Sequence, residues 1–232
     1  MKTLVSFPKS GRTWIRYACA VAGVELKFTH AGHPTHLQEL CKPWVGIPPE
    51  LEHEPVIFMH RNPLDTCVSL YHQLLHKDLI PNRKTWRWME ERNKPLPPLD
   101  INKFVTHKHY GIRLICQFNR GWLKHIQNVD GAYVLSYERL KAEPDRTFNE
   151  LFKVMGHPKV NGTHIARDTT FIKMRNIQNS GQGDIWRMRK SVKGNEESAK
   201  VRKGKVRGYV DYLTPDTIDT CRRIAAKYKF EI

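Results

Sequence analysis

Lys9, Ser10, Gly11, Arg12 and Thr13, in the stretch VSFPKSGRTWIRY, set an ammonium, two hydroxyls, a guanidinium and a residue without a side chain in consecutive positions. Apolar residues run up to Pro8 and an apolar pattern resumes at Trp14, so the five fall between a strand and a helix. At such a junction the first helical N–H groups lack intrahelical partners and the helix dipole favours negative charge. Gly11 lets the backbone approach an anion closely, Ser10 and Thr13 add donors, and Lys9 adds formal charge. The chemistry is that of a phosphate or sulfate cradle. The nucleotide-kinase loop G-x-x-x-x-G-K-[ST] is a different pattern, with more residues between its glycines and its lysine after the second.

A second group lies in RNPLDTCVS. Arg61 ends an apolar run and Ser69 follows eight residues later. An arginine at a strand end can pair with a phosphate bidentately, and a serine one or two turns into the next helix can face the same oxygens.

These groups need elements to hold them. TLVSF, LKFTH (Leu26 to His30), PVIFMH (Pro55 to His60) and AYVLS read as strands. Helices are predicted from Thr13 to Gly23, from Pro63 through a stripe of Leu64, Val68, Tyr71 and Leu75, near Tyr110 to Ile126, over PDRTFNELFKVMG, and from Thr214 to about Lys229. Asp78 to Pro98 reads as an irregular surface excursion, and Ile177 to Arg207 as a mobile loop. Strand–helix alternation implies an α/β fold, one domain over residues 1–232, with a parallel sheet flanked by helices and ligands at the carboxyl ends of its strands.

Composition narrows the partners. Lys+Arg 39 against Asp+Glu 23 gives a net +16, so the partner is expected to be anionic. Five scattered cysteines without a C-x-x-C pair argue for reduced thiols in a cytoplasmic protein and against a disulfide framework or zinc site. No apolar run approaches a membrane span, and the amino terminus has no long apolar leader region.

Taken together, FPKSGRTW resembles the 5′-phosphosulfate loop of cytosolic-type sulfotransferases, usually close to YPKSGTTW, and RNPLDTCVSLYH resembles their 3′-phosphate strand and helix. LSYERLKAEPDRTFNELFKVMG, TTFIKMRN and RKGKVRGY continue the likeness in family order from Val5 to Tyr209. The resemblance implies a P-loop-like nucleotide-binding sulfotransferase fold and a donor, 3′-phosphoadenosine-5′-phosphosulfate (PAPS), that leaves as adenosine 3′,5′-bisphosphate (PAP), with no metal. Lys9, Ser10, Gly11, Arg12, Thr13 and Trp14 match the positions around the 5′-phosphosulfate and purine. Arg61, Ser69, Arg202, Lys203 and Gly204 match those on the 3′-phosphate, and Tyr137 and Phe171 those near the adenine.

Sulfuryl transfer also needs a base for the acceptor proton and positive charge at the leaving oxygen. Lys9 suits the second task. KFTH resembles the family's KTH segment, whose histidine is the base, which points to His30, with His33 as the substitute. His30, His33 and His36 recur every three residues, but Gly32 and Pro34 interrupt any helix that would align them on a metal.

Three departures stand out. Arg12 replaces a loop threonine and either adds charge beside the transferring group or points to solvent. Arg207 occupies the second glycine of RKGxxGxW, and Tyr209 its tryptophan. The segment between the phosphate motifs is short, so the acceptor pocket does not carry over. A basic cleft would take an anionic glycan; an apolar pocket closed by Trp86 and Trp88 would take a phenol or lipid. Two rival readings are a phosphotransferase, which wants an acidic Mg²⁺ ligand where the strand ends carry His30, Arg61 and Ser136, and a nucleic-acid-binding module suited to the charge. Neither is favoured: the expected partners are PAPS or PAP and a hydroxyl or amine acceptor, with no nucleic acid.

Overall fold

The computed structural model describes residues 1–32, 46–75, 83–182, 188, 197, 199 and 201–232. His33 and His36, about half of the expected mobile loop and the start of the Asp78–Pro98 segment lie outside these. Four parallel strands, β1 (Thr3–Ser6), β2 (Lys27–Thr29), β3 (Ile57–His60) and β4 (Tyr133–Ser136), form one sheet in the order β2-β1-β3-β4. The register pairs Val5 with Thr29, Ser6 with Met59, and His60 with Ser136.

The central strands are buried almost throughout and largely apolar because both sheet faces are covered. Side chains alternate between two cores. Leu4, Ile57, Met59 and Leu135 pack with Ile15 and Ala18 of α1 (Arg12–Ala22) and with Phe148 and Phe152 of a later helix. Val5, Phe7 and Phe58 face the other way, toward Leu64 and Val68 of α2 (Pro63–Gln73) and toward Phe118 and Trp122.

The remaining helices run in chain order: α3 (Arg83–Glu91), α4 (Ile101–Thr106), α5 (Ile112–Ile126), α6 (Tyr137–Ala142), α7 (Pro144–Val154), α8 (Gly162–Asp168), α9 (Phe171–Ser180) and α10 (Pro215–Ala226). Two expectations are corrected. The supposed irregular excursion contains α3: RKTWRWMEE is rich in helix formers, Trp86 donates to the Glu90 carboxylate at 2.8 Å one turn on, and Met89 is buried. Residues 177–180 close α9 rather than open a loop, ending at Gly181 in the left-handed conformation.

Strand order fixes where a ligand can sit. From β1 the chain crosses to β2 on one side, and from β3 to β4 on the other. The topological switch point therefore lies between the carboxyl ends of β1 and β3, which lead into the Lys9 loop and Arg61.

Candidate active site

The β1–α1 loop is tightly wound. Ser10 N–H donates to the Phe7 carbonyl at 3.4 Å and Trp14 N–H to that of Gly11 at 2.9 Å. Gly11 has φ 102°, and a Cβ there would lie 2.5 Å from Cδ2 of Tyr137, so the position requires glycine. Lys9 is also left-handed, with φ 74°, a conformation costing an L-residue about 1–2 kcal/mol and found mainly where function holds it. No side chain caps α1, a helix start of the kind that accepts an anion.

Arg61 joins the two phosphate motifs. One terminal nitrogen donates to the Lys9 carbonyl at 3.5 Å and the other to the Lys205 carbonyl at 3.1 Å. Its guanidinium lies 4.5 Å from the centre of the Tyr137 ring and 3.7 Å from the Asp65 carboxylate. Its Nε is buried with no partner among the described residues. Asp65, itself buried, accepts the N–H groups of Arg207 at 2.8 Å and Tyr209 at 3.0 Å, and so fastens the RKGKVRGY segment onto α2. Burial pushes the Asp65 carboxyl up, while Arg61 and the two N–H donors pull it back. At Arg207 the backbone keeps a glycine-like φ of 57°, so the departure from the family's glycine alters the side chain and not the turn.

Aromatic residues line one side. Trp14 donates its indole N–H to the Thr169 hydroxyl at 2.9 Å and meets the Tyr137 ring edge-on. Phe171 starts α9 behind the Thr170 cap, and Gly204 (φ 59°) comes so close that a Cβ would lie 2.6 Å from Cδ2 of Phe171. The Lys141 ammonium sits 5.8 Å from the Trp14 ring centre and 5.9 Å from that of Phe171. Arg202 pairs with Glu197 at 2.9 Å and contacts the Tyr212 hydroxyl, while the Lys203 ammonium lies 4.3 Å from the Tyr212 ring centre.

His30 leaves the end of β2 with Nδ1 2.6 Å from the Ser6 carbonyl oxygen. A carbonyl only accepts, so Nδ1 carries the hydrogen and, in the neutral ring, the lone pair is on Nε2.

These parts surround one cavity of about 430 Å³. Every described residue that the sequence matched to donor binding or to the base lines it, except Ser10, which is buried behind the turn with its hydroxyl unpartnered among the described residues. Trp86 and Trp88 do not line it; they pack partly buried against the α2–α5 core. Sequence reasoning missed Asp65, Arg16, Lys141, Lys205 and Tyr212 on the wall. Asp65 left a signal, a carboxylate four residues after Arg61, in the first turn of the helix that Arg61 precedes. Among the described residues no group of three or more His, Cys, Asp or Glu could hold a metal ion.

A sulfotransferase domain family matches residues 43–229, which is most of the chain: the protein belongs to the sulfotransferase family. That match begins beyond the β1–α1 loop. The crystal structure of mouse sulfotransferase SULT7A1 complexed with PAP superposes with a TM-score of 0.63 over 97% of this chain and 82% of its own, at 20% identity. The likeness shows the same fold. A search of curated protein sequences gave no match.

Proposed function

We propose that this sulfotransferase uses PAPS as donor and transfers its sulfuryl group in line to a hydroxyl or amine. The observation that carries this reading is Arg61, which ties the Lys9 loop to the Lys205 segment at the switch point, in one cavity with His30. The donor fits the residues present. Two buried donors that a phosphate could satisfy, the Ser10 hydroxyl and Arg61 Nε, lack described partners, and α1 begins without a side-chain cap. The cavity volume lies within the usual span for cofactor sites.

When bound, PAPS supplies the sulfuryl group and a leaving group bearing both phosphates. Lys9, Ser10, Gly11, Arg12 and Thr13 hold its 5′ end, while Arg61, Ser69, Arg202, Lys203 and Gly204 hold the 3′-phosphate. Trp14, Tyr137 and Phe171 flank the purine. The Ser6 carbonyl fixes the His30 ring, and Nε2 takes the acceptor proton. As the acceptor atom bonds to sulfur, the bond from sulfur to the 5′-phosphate oxygen breaks, and the Lys9 ammonium balances the charge left on that oxygen. Free thiols at Cys19, Cys67, Cys116 and Cys221 suit the reducing cytoplasm, which we propose as its compartment.

Steady-state kinetics with bisphosphate titration test the roles. His30→Ala should lower turnover by roughly 10²–10⁴ with PAP affinity unchanged. Lys9→Ala should depress turnover more than PAP affinity. Retained turnover in His30→Ala would remove the base from this residue.

A further inference from the structure

The turn that aims Arg61 is held from behind the cavity wall. Arg61 follows the last residue of β3, and Asn62 caps α2, its side-chain oxygen accepting the N–H groups of Leu64 at 2.9 Å and Asp65 at 3.2 Å. His60 of β3 pairs with Ser136 of β4, so the turns into α2 and α6 leave the sheet side by side. The Asn62 backbone N–H belongs to neither helix ladder. It donates at 2.8 Å to one carboxylate oxygen of Glu138, in the first turn of α6. The other Glu138 oxygen accepts the Ser136 hydroxyl at 3.0 Å, and that hydroxyl in turn caps α6 by accepting the Arg139 N–H at 3.3 Å.

One half-buried carboxylate thus joins two strand-to-helix turns. The chain neighbours of its two ends, Arg61 beside Asn62 and Tyr137 beside Glu138, are the pair that meet on the cavity wall, guanidinium 4.5 Å from ring centre. Glu138 itself does not line the cavity. Its charge is the informative feature. It is felt at Asp65 and Tyr137, adding to the upward push that burial gives both groups. A carboxylate so near a phosphate pocket opposes the ligand electrostatically, so its contribution has to be geometric. An acceptor-only group suits two donors arriving from two turns. Of the described polar contacts of Arg61, the one to the Lys205 carbonyl has ordinary hydrogen-bond length at 3.1 Å, whereas those to Lys9 and Asp65 are 3.5 and 3.7 Å. The aim of the guanidinium therefore depends on the backbone turn that carries it.

We propose that Glu138 is a positioning residue for 3′-phosphate recognition: by holding the Asn62 N–H it fixes the turn that directs Arg61, and it does so without touching the ligand. This rests on the donor reading and adds to it the group that aims its central arginine. Loss of the carboxylate leaves the Asn62 N–H without its acceptor and uncouples the Arg61 turn from Tyr137. The cost falls on the end of the nucleotide that Arg61 meets.

Calorimetry with PAP and with adenosine 5′-phosphate on the wild-type protein and three variants tests this. Glu138→Ala should weaken PAP binding by about tenfold or more, the scale of one hydrogen bond to a charged group, and adenosine 5′-phosphate binding by less than about threefold. Glu138→Asp keeps the charge but withdraws the oxygens by one methylene, and should behave as Glu138→Ala does. Glu138→Gln keeps an acceptor oxygen for the Asn62 N–H and removes the charge, so PAP should bind it at least as tightly as wild type. A group that only stabilised the fold would not produce this split between nucleotides or the rescue by glutamine. If Glu138→Ala does not fold, the Asp and Gln variants carry the test. Unchanged PAP affinity in Glu138→Asp, an equal loss for both nucleotides, or a loss in Glu138→Gln as large as in Glu138→Asp overturns the positioning role. A wild-type protein that binds PAP no more tightly than adenosine 5′-phosphate overturns the donor reading instead.

Discussion

At the scale of single residues, the site depends on groups whose shape matters as much as their charge. Arg61 makes two carbonyl contacts, an ion pair and a ring contact from one planar group. Arg61→Lys keeps the charge but loses the fork, and should weaken PAP binding by about 2 kcal/mol in calorimetry. Gly204 is a second such position. A methyl at Gly204 would press the Phe171 ring and meet a backbone φ of 59°, so Gly204→Ala should cost about 1 kcal/mol of stability by urea denaturation and displace the proposed purine platform. Arg207 is a contrasting case. Its backbone is already left-handed, so Arg207→Gly should change stability by less than about 1 kcal/mol, whereas a β-branched residue there should cost more.

Among the elements, Asp65 does the fastening. It holds the segment after Gly204 to α2 through two backbone N–H groups. Asp65→Ala leaves both donors without their acceptor and should destabilise the protein by about 2–4 kcal/mol in denaturant titration, with Asp65→Asn costing less because one acceptor oxygen remains. The same elements show how much was legible in the sequence. Strands β1 and β3 were readable because they are buried at the centre of the sheet and largely apolar, β2 and β4 because they are short β-branched and aromatic segments, and α1, α2, α5, α7 and α10 because they are long enough to display a period. The short helices α4, α6, α8 and α9 span too few turns for that; their signal was the capping residue, Asp100, Ser136, Asn161 and Thr170, each accepting an N–H of the first turn. The two segments proposed to hold the phosphates could be singled out because their residue chemistry is local. Arg16 and Lys141 were not, because their place on the wall arises only when distant elements pack together.

For the molecule as a whole, burial governs how it answers pH and reagents. Burial pushes the His60 imidazole below its ordinary value of 6.5, with the Glu138 carboxylate partly opposing. In the unfolded chain His60 binds a proton below about pH 6.5 that the folded protein refuses until lower pH. Its contribution to stability is therefore full above pH 6.5 and falls as pH drops through that window, by at most about 1.4 kcal/mol per pH unit. Denaturation midpoints between pH 7.5 and 5.5 should show this slope, reduced in His60→Asn. The buried thiols of Cys19, Cys116 and Cys221 are pushed up to about 12, and burial likewise holds that of Cys67 well above its ordinary value, so these four should resist alkylation in the native protein and react once it is denatured.

The central claim is that one cavity grips both anionic ends of PAPS, with Arg61 between them. Calorimetry comparing PAP with adenosine 5′-phosphate tests it most directly. The account predicts that PAP binds at least about a hundredfold more tightly, a margin of roughly 2.7 kcal/mol supplied by charged contacts to the 3′-phosphate, and that Arg61→Ala removes most of the difference. Equal affinity for the two nucleotides in the wild-type protein would contradict it.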